Sequence, residues 1–107
     1  MTLRDATPDD LDAIMAIENR SFPTDAWSSE TMAAELASPH GRYLVDEHEG
    51  TVVGYGGVRA LQGSADADIQ TIALLAEHRG RGRGRTLLRA LLSAAVARGA
   101  REVFLEV

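Results

Sequence analysis

Arg79-Gly80-Arg81-Gly82-Arg83-Gly84 is the stretch whose residue types and spacing could do chemistry. Glycine adopts backbone conformations that other residues avoid, and it lets main-chain N–H groups come close to a ligand. Arg79, Arg81, Arg83 and Arg85 add full positive charges at alternate positions. The run lies between a predicted strand, Asp68–Leu74, and a predicted helix, Arg85–Arg98. A helix start contributes unpaired N–H donors and a partial positive charge. Together these features describe a cradle for a phosphorylated ligand. The formal net charge is −5, so this is a local reversal of sign. All 11 basic residues are arginine, whose guanidinium suits multidentate phosphate contact.

The elements that must position this run can be read from periodicity and punctuation. Leu3–Ala6 reads as a short strand. Thr7-Pro8-Asp9-Asp10 is a helix start, with a Thr cap, Pro at the first position and acids in the first turn. Leu11, Ile14, Met15 and Glu18 carry helical spacing to about Arg20, with Ile17 widening the face. Ser28 or Ser29 caps a second helix through Ala37, with Met32, Ala33 and Leu36 inward. Tyr43–Glu47 and Thr51–Ala60 read as strands around the turn His48-Glu49-Gly50. Gly54, Gly56 and Gly57 suggest a bulge or a closely packed neighbour. Leu61–Ala67 reads as a polar connection. In the helix after the arginine–glycine run, Leu87, Leu91 and Ala95 form one inward row and Leu88, Leu92 and Val96 the next. Gly99 ends it, and Glu102–Val107 reads as a strand. The order is β-α-α-β-β-β-α-β, an α/β pattern with one βαβ unit near its end.

Composition narrows the function classes. The length of 107 residues and the 45% hydrophobic content fit one small packed domain. There is no cysteine, which excludes disulfides and thiolate metal sites. His40 and His48 have no partner spacing for a metal, and His78 reads as an exposed loop residue. No apolar run reaches membrane-span length and the N-terminus lacks a signal-peptide core, which favours the cytoplasm. The run is not a Rossmann fingerprint, because Leu87 occupies the place of the third glycine. It is not a Walker A loop, because the chain has no lysine. A tract that binds RNA through Arg and Gly is a further reading, but such tracts are long and flanked by disorder, and the net charge is acidic.

Arg79, Gly82 and Gly84 fill the specified positions of the Gln/Arg-x-x-Gly-x-Gly/Ala motif of the GNAT superfamily of N-acetyltransferases. The resemblance extends to Ile69-Gln70-Thr71-Ile72-Ala73-Leu74 before the run and to Leu87-Leu88 after it. Phe22-Pro23, Trp27-Ser28 and Phe104-Leu105-Glu106-Val107 resemble the branch that acetylates the N-terminal alanine of a ribosomal protein. The resemblance implies a GNAT fold, a mixed, mostly antiparallel sheet flanked by helices. It implies acetyl transfer from acetyl-coenzyme A to an amine, with no metal and no nucleic acid. The backbone of Ile72, Ala73 and Leu74 is expected to face the pantetheine arm, with a backbone N–H near Ala73–Leu74 as oxyanion donor. Arg79, Gly80, Arg81, Gly82, Arg83, Gly84 and Arg85 are expected around the pyrophosphate. Glu106 matches the position proposed for the base. Trp27 is expected either to line the acceptor groove or to anchor the second helix, and Tyr43 and Tyr55 to be core or sheet-surface residues.

In the family the domain continues some forty residues past the position of Val107. That part supplies a coenzyme-A-contacting asparagine and a tyrosine proposed to protonate the departing thiolate. The expectation is therefore a single N-acetyltransferase domain over residues 1–107, incomplete at its C-terminus after the fifth strand. Its last strand would be an open edge able to pair with a second copy. A coenzyme-A-binding or assembly module without turnover is the alternative reading.

Overall fold

A computed structural model describes residues 2–105. The expected base, Glu106, lies outside the described residues, together with Met1 and Val107. Five strands form one sheet in sequence order: β1 (Thr2–Asp5), β2 (Gly41–His48), β3 (Thr51–Arg59), β4 (Asp66–Leu74) and β5 (Glu102–Leu105). The junctions β1–β2, β2–β3 and β3–β4 are antiparallel; β4–β5 is parallel. Three helices, α1 (Leu11–Ser21), α2 (Ser29–Ala37) and α3 (Arg83–Ala97), complete the predicted element order.

Strand alternation divides the core into two layers. Tyr43, Val45 and Tyr55 point to one face, where they pack with Ile14, Ile17 and Met32 of α1 and α2. Leu44, Val58 and Ile69 point to the other, against Leu87, Leu91 and Ala95 of α3. The β3 glycines serve this packing. A side chain on Gly57 would collide with the Tyr43 ring, and one on Gly56 would come within 2.8 Å of Leu91. The β2–β3 ladder also shifts register between Asp46 and Glu47, where Val53 is the extra residue on β3, so the expected bulge and the expected close packing are both present.

Four local readings need correction. β4 begins at Asp66 rather than Asp68, because Asp66 and Ala67 pair with Glu102 and Val103 of β5. Helix α3 begins at Arg83 rather than Arg85, because Gly82 in the left-handed region serves as its N-cap. Ala33 is exposed, since α2 meets the core through Met32 with Leu36 only partly covered. Val96 is 64% exposed. A row at i, i+4 drifts around the helix because a turn takes 3.6 residues, and the Leu88–Leu92–Val96 row drifts away from the sheet.

The start of α1 follows its sequence. Pro8–Asp10 form a single 3-10 turn, and the Asp10 carboxylate accepts the Thr7 N–H at 2.8 Å. Asp10 also accepts both terminal nitrogens of Arg4 at 2.8 Å, which ties β1 to this turn. That guanidinium holds the Asp10 carboxyl below its ordinary range, against the opposing effect of burial.

Candidate active site

The arginine–glycine run folds as a turn that feeds α3. Gly80 (φ +78°) and Gly82 (φ +80°) are both left-handed, a region that side chains with a Cβ rarely adopt. A Cβ at either position would meet nothing within 4 Å, so the backbone angle and not crowding calls for glycine. Arg81 and Arg85 are exposed and, among the described residues, form no ion pair. Arg79 Nε donates to the Leu74 carbonyl at 3.1 Å and so folds the turn back onto the end of β4.

Arg83 departs from the sequence expectation. Its guanidinium is buried, donating through one nitrogen to both oxygens of Asp46 at 2.9 Å and through another to His48 Nδ1 at 2.8 Å. Burial and geometry commit this side chain to the protein, and only its backbone remains for a ligand. The sequence hides this because Asp46 lies 37 positions away. His78 is not a free loop side chain either. It is half-buried, its ring centroid is 5.1 Å from that of His48, and its Nδ1 is enclosed without a partner among the described residues.

β4 supplies an open edge beside this turn. Gly57 pairs with Thr71 and Val58 with Ile69, so Gln70 is the extra residue of a β-bulge. Pairing with β5 reaches Ile69 opposite Leu105, the last described residue of that strand. The Leu75 N–H donates to Val53 O at 2.9 Å, towards β3. Alternation then turns the backbone groups of Ile72 and Leu74 to the opposite edge. The Arg79 bond to the Leu74 carbonyl agrees with that direction. Of the two N–H groups in the Ala73–Leu74 region, that of Leu74 faces the open edge and that of Ala73 faces β3.

Two cavities adjoin along the edge and share Phe22 and Ile72. One, of about 340 Å³, joins Ile72, Ala73 and Leu74 to Arg79 and Gly84. These are five of the residues assigned to the cofactor by sequence, brought to one wall. The other, of about 310 Å³, lies at the bulge and is lined by Glu18, Phe22, Asp25, Trp27, Thr71 and Leu105, among others. Trp27 lines this cavity and also packs on the α1–α2 core.

Glu18 is a cavity residue that the sequence reading did not single out. It is 2% exposed, on α1. One carboxylate oxygen accepts the Tyr55 hydroxyl, and the other accepts the Trp27 N–H at 2.9 Å. Tyr55 Oη also lies 3.3 Å from Thr71 Oγ1 on the cavity wall. Burial, and then the bond to Glu18, push the Tyr55 hydroxyl above its ordinary range and keep it protonated. The available signal was a glutamate at an inward position of an amphipathic helix, in register with Leu11, Ile14 and Met15.

Residues 11–107 match the model of the Acetyltransferase (GNAT) family. Among curated proteins, the chain is 35% identical over 106 residues to a Bacillus subtilis protein named as a ribosomal protein bS18 alanine N-acetyltransferase, covering 98% of this chain and 68% of that protein. It is 41% identical over 85 residues to the N-alpha-acetyltransferase RimI of Mycobacterium tuberculosis, covering 78% of this chain and 52% of that protein. The chain thus corresponds to 68% of the first relative's length, and the match to the second takes in 52% of it. Among solved structures, one described as an acetyltransferase from Agrobacterium tumefaciens superposes with a TM-score of 0.87 at 26% identity, over all of this chain and 81% of that one.

Proposed function

The chain belongs to the acetyltransferase (GNAT) family, and from that premise we propose that it transfers acetyl from acetyl-coenzyme A to the N-terminal α-amino group of a protein, with an alanine terminus of a ribosomal protein as the acceptor. The observation that carries the reading is the continuity of the left-handed Gly80–Gly82 turn, the open β4 edge and the bulge cavity. Backbone N–H groups at the start of α3, with Arg79, Arg81 and Arg85, hold the pyrophosphate. Ile72, Ala73 and Leu74 border the pantetheine arm, and the thioester then sits where the two cavities meet. The Leu74 N–H is placed to stabilise the oxyanion. The acceptor amine enters from the bulge cavity and attacks the thioester carbonyl as a neutral nucleophile; Glu106 takes its proton, and the tetrahedral intermediate collapses by breaking the C–S bond and releasing coenzyme A as its thiolate. The relatives named for N-terminal acetylation support the acceptor class.

The reading includes residues 1–107 belonging to a single acetyltransferase domain, and action in the cytoplasm, where acetyl-coenzyme A and ribosomes meet. Among the described residues no helix is long and apolar enough to cross a membrane, and no group of three or more His, Asp or Glu could hold a metal. The ordered turn and the buried Arg83 weigh against an RNA tract. The test is acetyl transfer from labelled acetyl-coenzyme A to an alanine-terminated peptide. The free amine should be acetylated and its N-blocked twin should not, and Glu106→Gln should slow turnover about 10²–10⁴-fold. A folded sample that acetylates neither peptide contradicts the proposal.

A further inference from the structure

Glu18 is a buried acid with hydrogen-bond donors but, among the described residues, no cation. Its two partners, the Tyr55 hydroxyl and the Trp27 N–H, are neutral. Among the described residues no Arg or His lies within ion-pair distance of it. Burial of a carboxylate is expensive unless an opposite charge or several donors compensate it. A carboxylate has about four acceptor sites, and these two bonds use half of them.

The cavity that Glu18 lines tells what could supply the remainder. It is partly apolar, through Phe22, Trp27 and Leu105, and its titratable wall residues, Glu18 and Asp25, are both acids. A neighbouring hollow of about 380 Å³, which shares Trp27 and Gln70 with it, adds Asp68. Carboxylates around a low-dielectric cleft raise the local concentration of cations. The cavity abuts the Ile72 wall, where the proposed thioester would lie.

Resting on the acetyltransferase reading, we infer that Glu18 is a substrate-binding residue whose carboxylate pairs with the α-ammonium of the acceptor's first residue. Its place is the floor of the bulge cavity, and Trp27 and Phe22 pack against that residue's side chain. Glu18 thereby selects the cationic terminus of a chain, while proton removal and attack follow at the thioester. The Tyr55 hydroxyl orients the carboxylate and does not replace its charge.

The experiment compares binding of an alanine-terminated hexapeptide with its N-acetylated twin. Trp27 is the only tryptophan, so its emission reports filling of this cavity. The full chain should bind the free amine about tenfold or more tightly than the acetylated peptide, in proportion to a desolvated charge pair. Glu18→Gln should bring that ratio to about one, leaving the affinities for coenzyme A and for the acetylated peptide unchanged. Tyr55→Phe removes a donor but leaves the charge, and it should keep the preference. A Glu18→Gln protein that still prefers the free amine overturns the inference, as does a wild type without preference. So does Glu18→Gln weakening both peptides equally, which marks a structural role. Failure of the wild type to bind coenzyme A would strike the acetyltransferase reading instead, because the peptide preference is measured with and without coenzyme A.

Discussion

Asp46 and Glu18 are both buried acids, and they are served differently. Asp46, 0% exposed on β2, receives a full cation from Arg83 at the first turn of α3. Glu18, on α1, receives among the described residues an O–H and a backbone N–H, and it faces a cavity. The first acid is matched within the chain, and its pair ties the arginine–glycine turn to the sheet. The second is left to be matched from outside. The difference separates a charge kept for architecture from a charge kept for a ligand, although the sequence shows both only as acids in apolar segments.

The largest expected effect breaks the first half of this comparison. Arg83→Leu leaves Asp46 buried without its cation and should cost about 3–5 kcal/mol of stability in urea unfolding. Adding Asp46→Asn to that variant should restore part of the loss, because the stranded charge is then gone. Glu18→Gln removes no cation, and its cost should be about 1.5–3 kcal/mol, the scale of hydrogen bonds to a charged group. Equal losses for Arg83→Leu and Glu18→Gln would erase the distinction between the two acids.

A third acid gives a smaller effect and a pH sign. Asp10 is 7% exposed, but its partner Arg4 has a side chain 36% exposed, so solvent weakens the pair. Its carboxyl lies below the ordinary value of 3.8, chiefly through the Arg4 bond. Its contribution is therefore fully present above pH 3.8 and is lost as pH falls through the lower, folded-state value. Asp10→Asn should lower stability at neutral pH by about 1 kcal/mol, counting the lost helix-start bond, and should flatten the acid limb of the stability–pH curve. An unchanged acid limb would show that the pair contributes nothing.

Local chemistry made the fold legible. The Thr-Pro-Asp-Asp start, the Ser28 cap, the Gly99 stop and the Leu87–Leu91–Ala95 row each act within a few residues, and each occurs where expected. The misplaced boundaries lie where distant pairing decides, as at Asp66 and Ala67, which become strand through β5. The same division runs through the site. Gly80 and Gly82 announce their backbone angles in sequence. Arg83 reads as a ligand residue because nothing nearby in sequence reveals Asp46 across the sheet. Glu18 was passed over because helical spacing explains an inward position but not a cavity beside it.

The central claim is that the Gly80–Gly82 turn and the start of α3 cradle the pyrophosphate of acetyl-coenzyme A. Calorimetric titration of the full chain with acetyl-coenzyme A tests it most directly, with Gly82→Asp as the comparison. The account predicts saturable binding at one site per chain. It also predicts a loss of about tenfold or more in affinity when an acid is set against the phosphates, a change of about 1.4 kcal/mol. A folded wild type that takes up no acetyl-coenzyme A, or a folded Gly82→Asp protein that binds it equally well, would contradict the account.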